Sequence, residues 1–248
     1  MRMRAAFTPR WISLCAVALV LWRAGAAGQL ICAGVTEPVF TVTLSLAVPG
    51  IVMTKNFKEG DFVHSNETIL VLDKRLEELE VDRRKLLMEN RKAELDSTKT
   101  VFEKGVSVTR DELLKKQTEY EVARADYQSA LEMLQRRSLT APAEGVITEF
   151  DIHAGEACAA YQPLVKMVDT RQCYFIANVD AGYGNRLQLG EDVPLEIEHG
   201  ADPVKLKGEV VFISPVVDQA SGLQRIKVKF ANPDGKVRPG VAGQMVLP

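Results

Sequence analysis

Hydrophobic and polar residues follow a β-type pattern at two places in the chain. "GIVMTKNFKEGD" (50–61) and "GVITEFDIHAGE" (145–156) each give a short apolar run, a polar stretch and a turn of glycine plus an acidic residue. Such runs, bounded by turn residues, are typical of short strands. A unit of about 25 residues is too small to bury a core by itself. We therefore predict that the two copies pack as one β-sandwich, whose turns are set by Gly50, Gly60, Gly145 and Gly155.

Between the two copies, residues 74–137 follow a helical pattern. This segment has no proline and one glycine, Gly105, and its acidic and basic residues nearly balance. Such a composition suits long exposed helices rather than a globular core. Thr109, followed three residues later by Glu112, is the pattern of a capping box that starts a second helix. We predict a helix, a turn near 105–108, and a second helix that runs back.

A spacing of three and four residues in both arms predicts a coiled-coil seam between the two helices. Polar residues interrupt the seam in both arms, which indicates that the hairpin packs against copies of itself or against a partner. The predicted seam positions are Leu76, Leu79, Arg83, Leu86, Asn90, Ala93 and Ser97 in the first arm, and Leu113, Gln117, Tyr120, Arg124, Tyr127, Leu131 and Leu134 in the second.

After residue 170 the strand pattern resumes with five or six short apolar runs separated by turn residues. Strands at this regular spacing predict a small antiparallel barrel. The alternating stretch Phe40–Val48 precedes the first repeat and fits a strand that joins this barrel from the N-terminal side.

The N-terminus carries the pattern of a secretory signal peptide over residues 1–26. Basic residues precede a short apolar run, Trp11–Trp22, and small residues follow near Ala26. We expect cleavage and export; an uncleaved membrane anchor and lipoprotein processing at Cys32 are the alternatives. Cys32, Cys158 and Cys173 lack metal or redox spacing, so we expect buried free thiols, with one disulfide as the alternative.

The remaining sequence features exclude several classes of function. A net charge of −2 gives no reason to expect a nucleic-acid partner. No catalytic motif, metal-ligand cluster or phosphate-binding loop is visible, so we expect no enzyme activity, cofactor or metal. Lys74 follows Asp73 in a way that fits a lipoyl or biotinyl carrier, but a carrier needs a tight turn where this chain inserts a long helical segment.

The order of the segments, together with several motifs, resembles the periplasmic adaptor proteins, or membrane fusion proteins, of RND efflux pumps and related exporters. The resemblance rests on "VPGIVMTKNFKEGDFV" with "LTAPAEGVITEFDIHAGE", on the charged hairpin between them, and on "SPVVD", "NPDG" and "RPG" near the end. It covers residues 36–248. It implies a mainly β, elongated fold: a split lipoyl-like β-sandwich, an α-helical coiled-coil hairpin and a small antiparallel β-barrel.

The resemblance also implies limits for the parts of the chain. The implied parts of the chain are a signal peptide at 1–26, an N-terminal strand joining the barrel at 36–48, a split lipoyl-like domain at 49–73 and 138–169, the hairpin at 74–137 and the barrel at 170–248.

The implied function is that of a non-enzymatic adaptor in the periplasm, peripheral to the inner membrane. Such adaptors form homo-oligomeric rings, usually hexamers, that link an inner-membrane transporter, here an RND permease, to an outer-membrane channel. An adaptor of an ABC-type exporter and, in a different class, a lipoyl or biotinyl carrier are the alternatives.

The hairpin tip is the implied partner contact, and its residues are Gly105, Val106, Ser107, Val108, Thr109 and Arg110. Many family members carry Arg, Leu and Ser at set spacings near this tip. When Thr109 is aligned with the Ser, this chain has Thr98 and Phe102 in place of the Arg and Leu. The departure leaves open whether the tip engages an outer-membrane channel.

Overall fold

The structure is a computed structural model that describes residues 30–105, 108–200 and 202–247. The predicted signal peptide lies outside these residues. In chain order the elements are β1 Leu30–Ser45, β2 Gly50–Lys55, β3 Phe62–Val63, β4 Thr68–Leu72, α1 Arg75–Glu103, α2 Arg110–Gln135, β5 Ser138–Thr140, β6 Gly145–Phe150, β7 Ala157–Cys158, β8 Pro163–Asp180, α3 Ala181–Gly184, β9 Asp192–Ile197, β10 Val204–Val217, β11 Leu223–Ala231 and β12 Ala242–Leu247.

Six strands close into an antiparallel barrel in the order β1-β12-β9-β10-β11-β8, and a direct pairing of β8 with β1 completes it. Within the barrel, inward-facing and outward-facing residues alternate along the strands, except in the second half of β10, as expected for a half-buried sheet. The inward residues form one apolar core around Phe175, Ile197, Ile226 and Met245, all of which are fully buried.

Two four-stranded sheets form the β-sandwich, in the orders β1-β8-β6-β3 and β5-β4-β2-β7. Its core contains Val52, Ile69, Ile147 and Leu164, two residues from each repeat. Strands β1 and β8 run through both the barrel and the sandwich, with a register shift between Pro38 and Phe40. The barrel and the sandwich are therefore joined by two paired strands rather than by a linker.

The two repeats contribute strands to both sheets and are bonded to each other symmetrically. Gly60 N–H donates to the carbonyl of Ile147 at 2.8 Å, and Gly155 N–H donates to the carbonyl of Val52 at 2.7 Å. These two bonds connect equivalent positions of the two copies in opposite directions. The prediction that both copies form a single sandwich is thus confirmed.

The helical hairpin leaves the sandwich between two neighbouring strands, β4 and β5. Leu72 N–H donates to the carbonyl of Arg137 at 2.8 Å, so the two ends of the hairpin are adjacent. The helices have 29 and 26 residues, which gives each a length of about 40 Å. Among the described residues, no helix combines the length and the apolar character that a membrane span requires.

The strand limits differ from the sequence-based ones in two places. Strand β1 begins at Leu30 rather than at residue 36, and its second half pairs within the sandwich. Strand β8 passes through residues 169 and 170, where the sequence pattern suggested a boundary. The alternation of burial lapses in both strands at the passage from one body to the other, over residues 38–40 of β1 and 168–172 of β8. Strand β8 pairs with β6 up to Val168 and with β11 from Gln172.

Candidate functional site

At the tip of the hairpin, α1 ends at Glu103 and α2 begins at Arg110. Gly105 has φ of +72°, the left-handed conformation in which a glycine commonly ends a helix. Its N–H donates to the carbonyl of Phe102 at 3.0 Å. On the return side, the Thr109 hydroxyl accepts a hydrogen bond from the N–H of Glu112 at 3.2 Å, which is one half of the predicted capping box.

The other predicted tip residues are placed as follows. Val106 and Ser107 lie outside the described residues. Val108 is half-buried, and Arg110 is exposed as the first residue of α2. Among the described tip residues, the exposed side chains are those of Thr109 and Arg110, with the exposed Phe102 one turn below them.

Charged residues, rather than leucines, form much of the seam between α1 and α2. Arg84 pairs with Asp126 at 2.6 Å, and Glu94 pairs with Lys116 at 2.9 Å. At the base, Arg137 pairs with Glu77 at 2.5 Å and also donates to the carbonyl of Pro49. These pairs fix the register of the two helices and tie the hairpin to the sandwich.

The ion pairs lower the pKa values of two carboxyl groups on α1. Hydrogen bonds from Arg83, and then from Arg84, lower the pKa of the Glu80 carboxyl to about 2. Hydrogen bonds from Lys116 and Arg91 likewise lower the pKa of Glu94. The lowered pKa values keep Glu80 and Glu94 ionised at any physiological pH.

The predicted seam of the first arm is wrong by one position. Residues 77, 84, 91 and 98 are half-buried, whereas the predicted residues 76, 83, 90 and 97 are exposed. A heptad pattern places leucines inward, but here ion pairs across the seam turn the leucines outward. In the second arm five predicted positions are half-buried, while Gln117 and Arg124 are exposed and the neighbouring positions 116 and 123 face α1.

As a result, α1 carries an exposed leucine stripe, made of Leu76, Leu79 and Leu86. Their exposed fractions are 77%, 58% and 67%. On strand β2, beside the base of the hairpin, Ile51 and Met53 are also at least half exposed. Exposed apolar groups of this size, arranged in a row, mark an interaction surface. The sequence pattern contained this stripe but assigned it to the seam.

The predicted turn glycines fall into two classes. Gly60 and Gly155 both have φ of +90° in the turns before β3 and β7. Gly50 and Gly145 instead begin strands β2 and β6, where space is the constraint. A Cβ on Gly145 would lie 2.7 Å from the carbonyl oxygen of Val168, and one on Gly50 would lie 2.9 Å from the Arg137 side chain.

Lys74 occupies the position before the first turn of α1, and its ammonium pairs with Glu78 at 3.0 Å. Cys32, Cys158 and Cys173 are free and buried in the described structure. Burial raises the pKa of Cys173 to about 11 and also raises that of Cys32, so these two thiols stay protonated. Within the described residues, no group of three histidine, cysteine or acidic side chains is arranged to hold a metal ion.

The chain is also similar to known proteins. The multidrug resistance protein MdtE of Escherichia coli K12 is 24% identical over 234 residues, which are 84% of this chain and 61% of that protein. The chain thus spans about three fifths of the length of that relative.

Two solved structures share the fold. A MacA–MexA chimera, containing the Pseudomonas aeruginosa MexA α-hairpin domain, gives a TM-score of 0.76 at 15% identity over 88% of this chain and 78% of its own. The membrane fusion protein Spr0693 of Streptococcus pneumoniae gives 0.68 at 13% identity over 88% of this chain and 98% of its own.

A family model described as "RND MFP, barrel-sandwich hybrid domain" matches residues 39–170, more than half of the chain. The matched range contains the complete sandwich and the hairpin inserted in it. The sequence resemblance is confirmed: this chain belongs to the membrane fusion proteins of RND efflux systems.

Proposed function

We propose that this protein is the periplasmic adaptor of an RND-type efflux pump. In this role it assembles as a ring, with six copies, that links an inner-membrane RND permease to an outer-membrane channel. The proposal is supported by family membership and by the relative whose name records multidrug resistance. The proposed role is structural: the surfaces of the adaptor bind partner proteins and do not convert a substrate.

The exposed leucine stripe carries the proposal. A solitary hairpin would gain by turning leucines inward, since burying one leucine contributes about 1.5–3 kcal/mol. In this protein the seam holds ion pairs, and the leucines point away from α2. That arrangement is favourable when a neighbouring hairpin covers the stripe, as it would in a ring.

The tip, from Gly105 to Arg110, is the proposed contact with the outer-membrane channel. The capped turn exposes the polar side chains of Thr109 and Arg110 on a base that is held by ion pairs. Such a surface suits a polar contact that forms end to end, while the apolar stripe suits the contact that forms side by side. In this proposal the tip binds the channel, and the leucine stripe binds the neighbouring copy in the ring.

An export assay tests the role of the stripe. In cells that depend on this adaptor, the triple variant Leu76→Ser, Leu79→Ser and Leu86→Ser should lose resistance to the compounds that the pump exports. The purified variant should keep its fold, because all three side chains are exposed. A matched control carries Lys85→Ser, Glu89→Ser and Lys92→Ser, which are exposed away from the stripe.

The control should export normally. Normal resistance in the stripe variant, with the protein at wild-type abundance, would contradict the proposed function. Co-purification of the wild-type protein with an ABC exporter in place of an RND permease would redirect it.

A further inference from the structure

The barrel and the sandwich meet at a joint formed by residues 38–40 of β1 and 169–172 of β8. Among the described strands, these two alone continue from one body into the other. The β1–β8 pairs on either side of the joint enclose one residue of β1 and three residues of β8. On its other edge, β8 changes its partner from β6 to β11 within the joint. The joint therefore interrupts the regular ladder that stiffens both strands on either side of it.

Arg171 lies in this joint, and the barrel holds its backbone. The N–H of Asn232, the residue after β11, donates to the carbonyl of Arg171 at 2.7 Å. The side-chain amide of Asn232 donates to the carbonyls of Thr170 and Val237, both at 2.8 Å. The backbone of the joint on β8 is therefore tied to the end of the barrel.

The side chain of Arg171 reaches back to the sandwich. Its guanidinium donates to both carboxylate oxygens of Asp169, at 3.0 and 2.9 Å, where β8 leaves the sandwich. It also donates to the carboxylate of Glu144, in the loop before β6, and lies over the ring of Phe62 at 5.6 Å. Paired carboxylates and an aromatic ring both hold a guanidinium in a defined orientation. Arg171 therefore connects the two bodies through one residue.

Glu144 has a second neighbour on the sandwich. His64 Nδ1 lies 3.5 Å from the Glu144 carboxylate, and the His64 ring stands edge-on to Phe62 with 5.1 Å between the ring centres. Hydrogen bonds from Arg171, and then from His64, lower the pKa of the Glu144 carboxyl. Arg171 therefore contacts an ionised carboxylate at neutral pH.

An open cleft lies beside the joint. Its volume is about 550 Å³, and it is lined by residues of β8 and by the end of β11 with the turn that follows. The lining residues are Asp169, Arg171, Gln172, Ala231 and Pro233. The space beside the joint gives the barrel room to tilt.

We propose that Arg171 and Glu144 form a latch that holds the barrel at one angle to the sandwich, and that the barrel rotates about the joint when the latch opens. Hinges are short segments that absorb backbone rotation between rigid bodies, and this joint lies between two separate apolar cores. The two side chains are 48% and 39% exposed, so water competes for their contact and the latch is weak. A partner that binds both bodies can therefore select the open or the closed form. The inference concerns a single copy and does not rest on the proposed ring.

The distance between the two bodies measures the state of the latch. Spin labels on Lys58→Cys in the sandwich and Lys207→Cys in the barrel, both exposed positions, report this distance by pulsed electron paramagnetic resonance. The labelled full chain is mixed with an excess of unlabelled protein, so that only distances within one copy are read. A sample without the introduced cysteines checks that the buried native thiols stay unlabelled.

Arg171→Gln should broaden the distribution of distances by about twofold or more, because the barrel then samples several angles. Glu144→Gln should broaden it less, since Arg171 keeps its contacts with Asp169 and Phe62. The double variant should match Arg171→Gln alone, because both changes remove the same contact. High salt should broaden the wild-type distribution and leave that of the double variant unchanged.

A matched control removes an ion pair inside the sandwich. Lys166 and Glu149 pair at 3.0 Å, and their exposure is close to that of the latch residues. Lys166→Gln with Glu149→Gln removes one cation and one anion, as the double latch variant does. This control should keep the wild-type distribution.

An unchanged distribution in Arg171→Gln, with the fold intact by circular dichroism, would overturn the proposal. Equal broadening in the matched control would overturn it as well, since the loss of any ion pair would then loosen the molecule. Should Arg171→Gln fail to fold, an unchanged distribution in Glu144→Gln overturns the proposal in its place. The proposed function fails by a different result, namely normal export by the leucine-stripe variant.

Discussion

At the scale of single residues, the two repeats impose the same backbone conformation on equivalent positions. Gly60 and Gly155 both adopt φ of +90°, and Asn66 and Tyr161 adopt φ of 66° and 60°. The glycines were predictable, because a glycine before an acidic residue is a common turn signal. Tyr161 was not predictable as a turn residue, because an aromatic side chain disfavours positive φ and the sequence gives no other sign.

The symmetry makes a quantitative prediction for the two turn glycines. A Cβ at either position would meet no atom within 4 Å, so Gly60→Ala and Gly155→Ala should cost backbone strain alone. Each should lower the free energy of unfolding by about 1–2 kcal/mol, and the two values should agree within experimental error. Urea unfolding measures both.

Asn66→Gly serves as the control, since glycine accepts positive φ, and it should change the stability little. If either alanine variant loses much more unfolding free energy than backbone strain accounts for, or if the two variants lose clearly different amounts, the turns are not equivalent.

At the scale of elements, the two helices and the turn of the hairpin were predictable from the sequence. The sides on which the two helices face each other were not. Composition, the lone Gly105 and the cap at Thr109 are local signals, and they gave both helices and the turn. The facing sides depend on which residues meet across the two arms. Leucines at heptad spacing predicted the seam, but the pairing of Arg84 with Asp126 rotates α1 by one position. Long-range ion pairs of this kind leave no mark in the sequence of one helix.

The tip makes a prediction about function at this scale. Gly105→Pro with Thr109→Ala should abolish export, because proline requires φ near −65° where the chain has +72°. Loss of the Thr109 cap removes about 1 kcal/mol of helix stability in addition. The sandwich and barrel should unfold at the wild-type temperature in a differential scanning experiment.

The matched control is Gly105→Asn with Thr109→Ser, which keeps a residue that tolerates positive φ and keeps a capping hydroxyl. It should export normally. If the proline variant also exports normally, the tip is not a docking surface.

At the scale of the whole molecule, the repeat predicted the sandwich because its two copies are far apart in sequence yet each too small to fold alone. The closure of the barrel was not predictable. It depends on residues 30–38 of β1, which pair with β12 and β8, whereas the sequence pattern assigned the joining strand to Phe40–Val48, most of which pairs within the sandwich. The elongated design therefore follows from two long strands at one end and a hairpin inserted between neighbouring strands at the other.

The most direct test of this design removes the hairpin. Leu72 and Arg137 are hydrogen-bonded neighbours, so replacing residues 73–136 with Asn-Gly should connect β4 and β5 by a tight two-residue turn. Amide hydrogen exchange then measures whether the two repeats still bind each other. Slow exchange at the amides of Gly60 and Gly155, as in the intact protein, is the predicted result. Rapid exchange at both amides would contradict a sandwich that the two repeats complete without the helices.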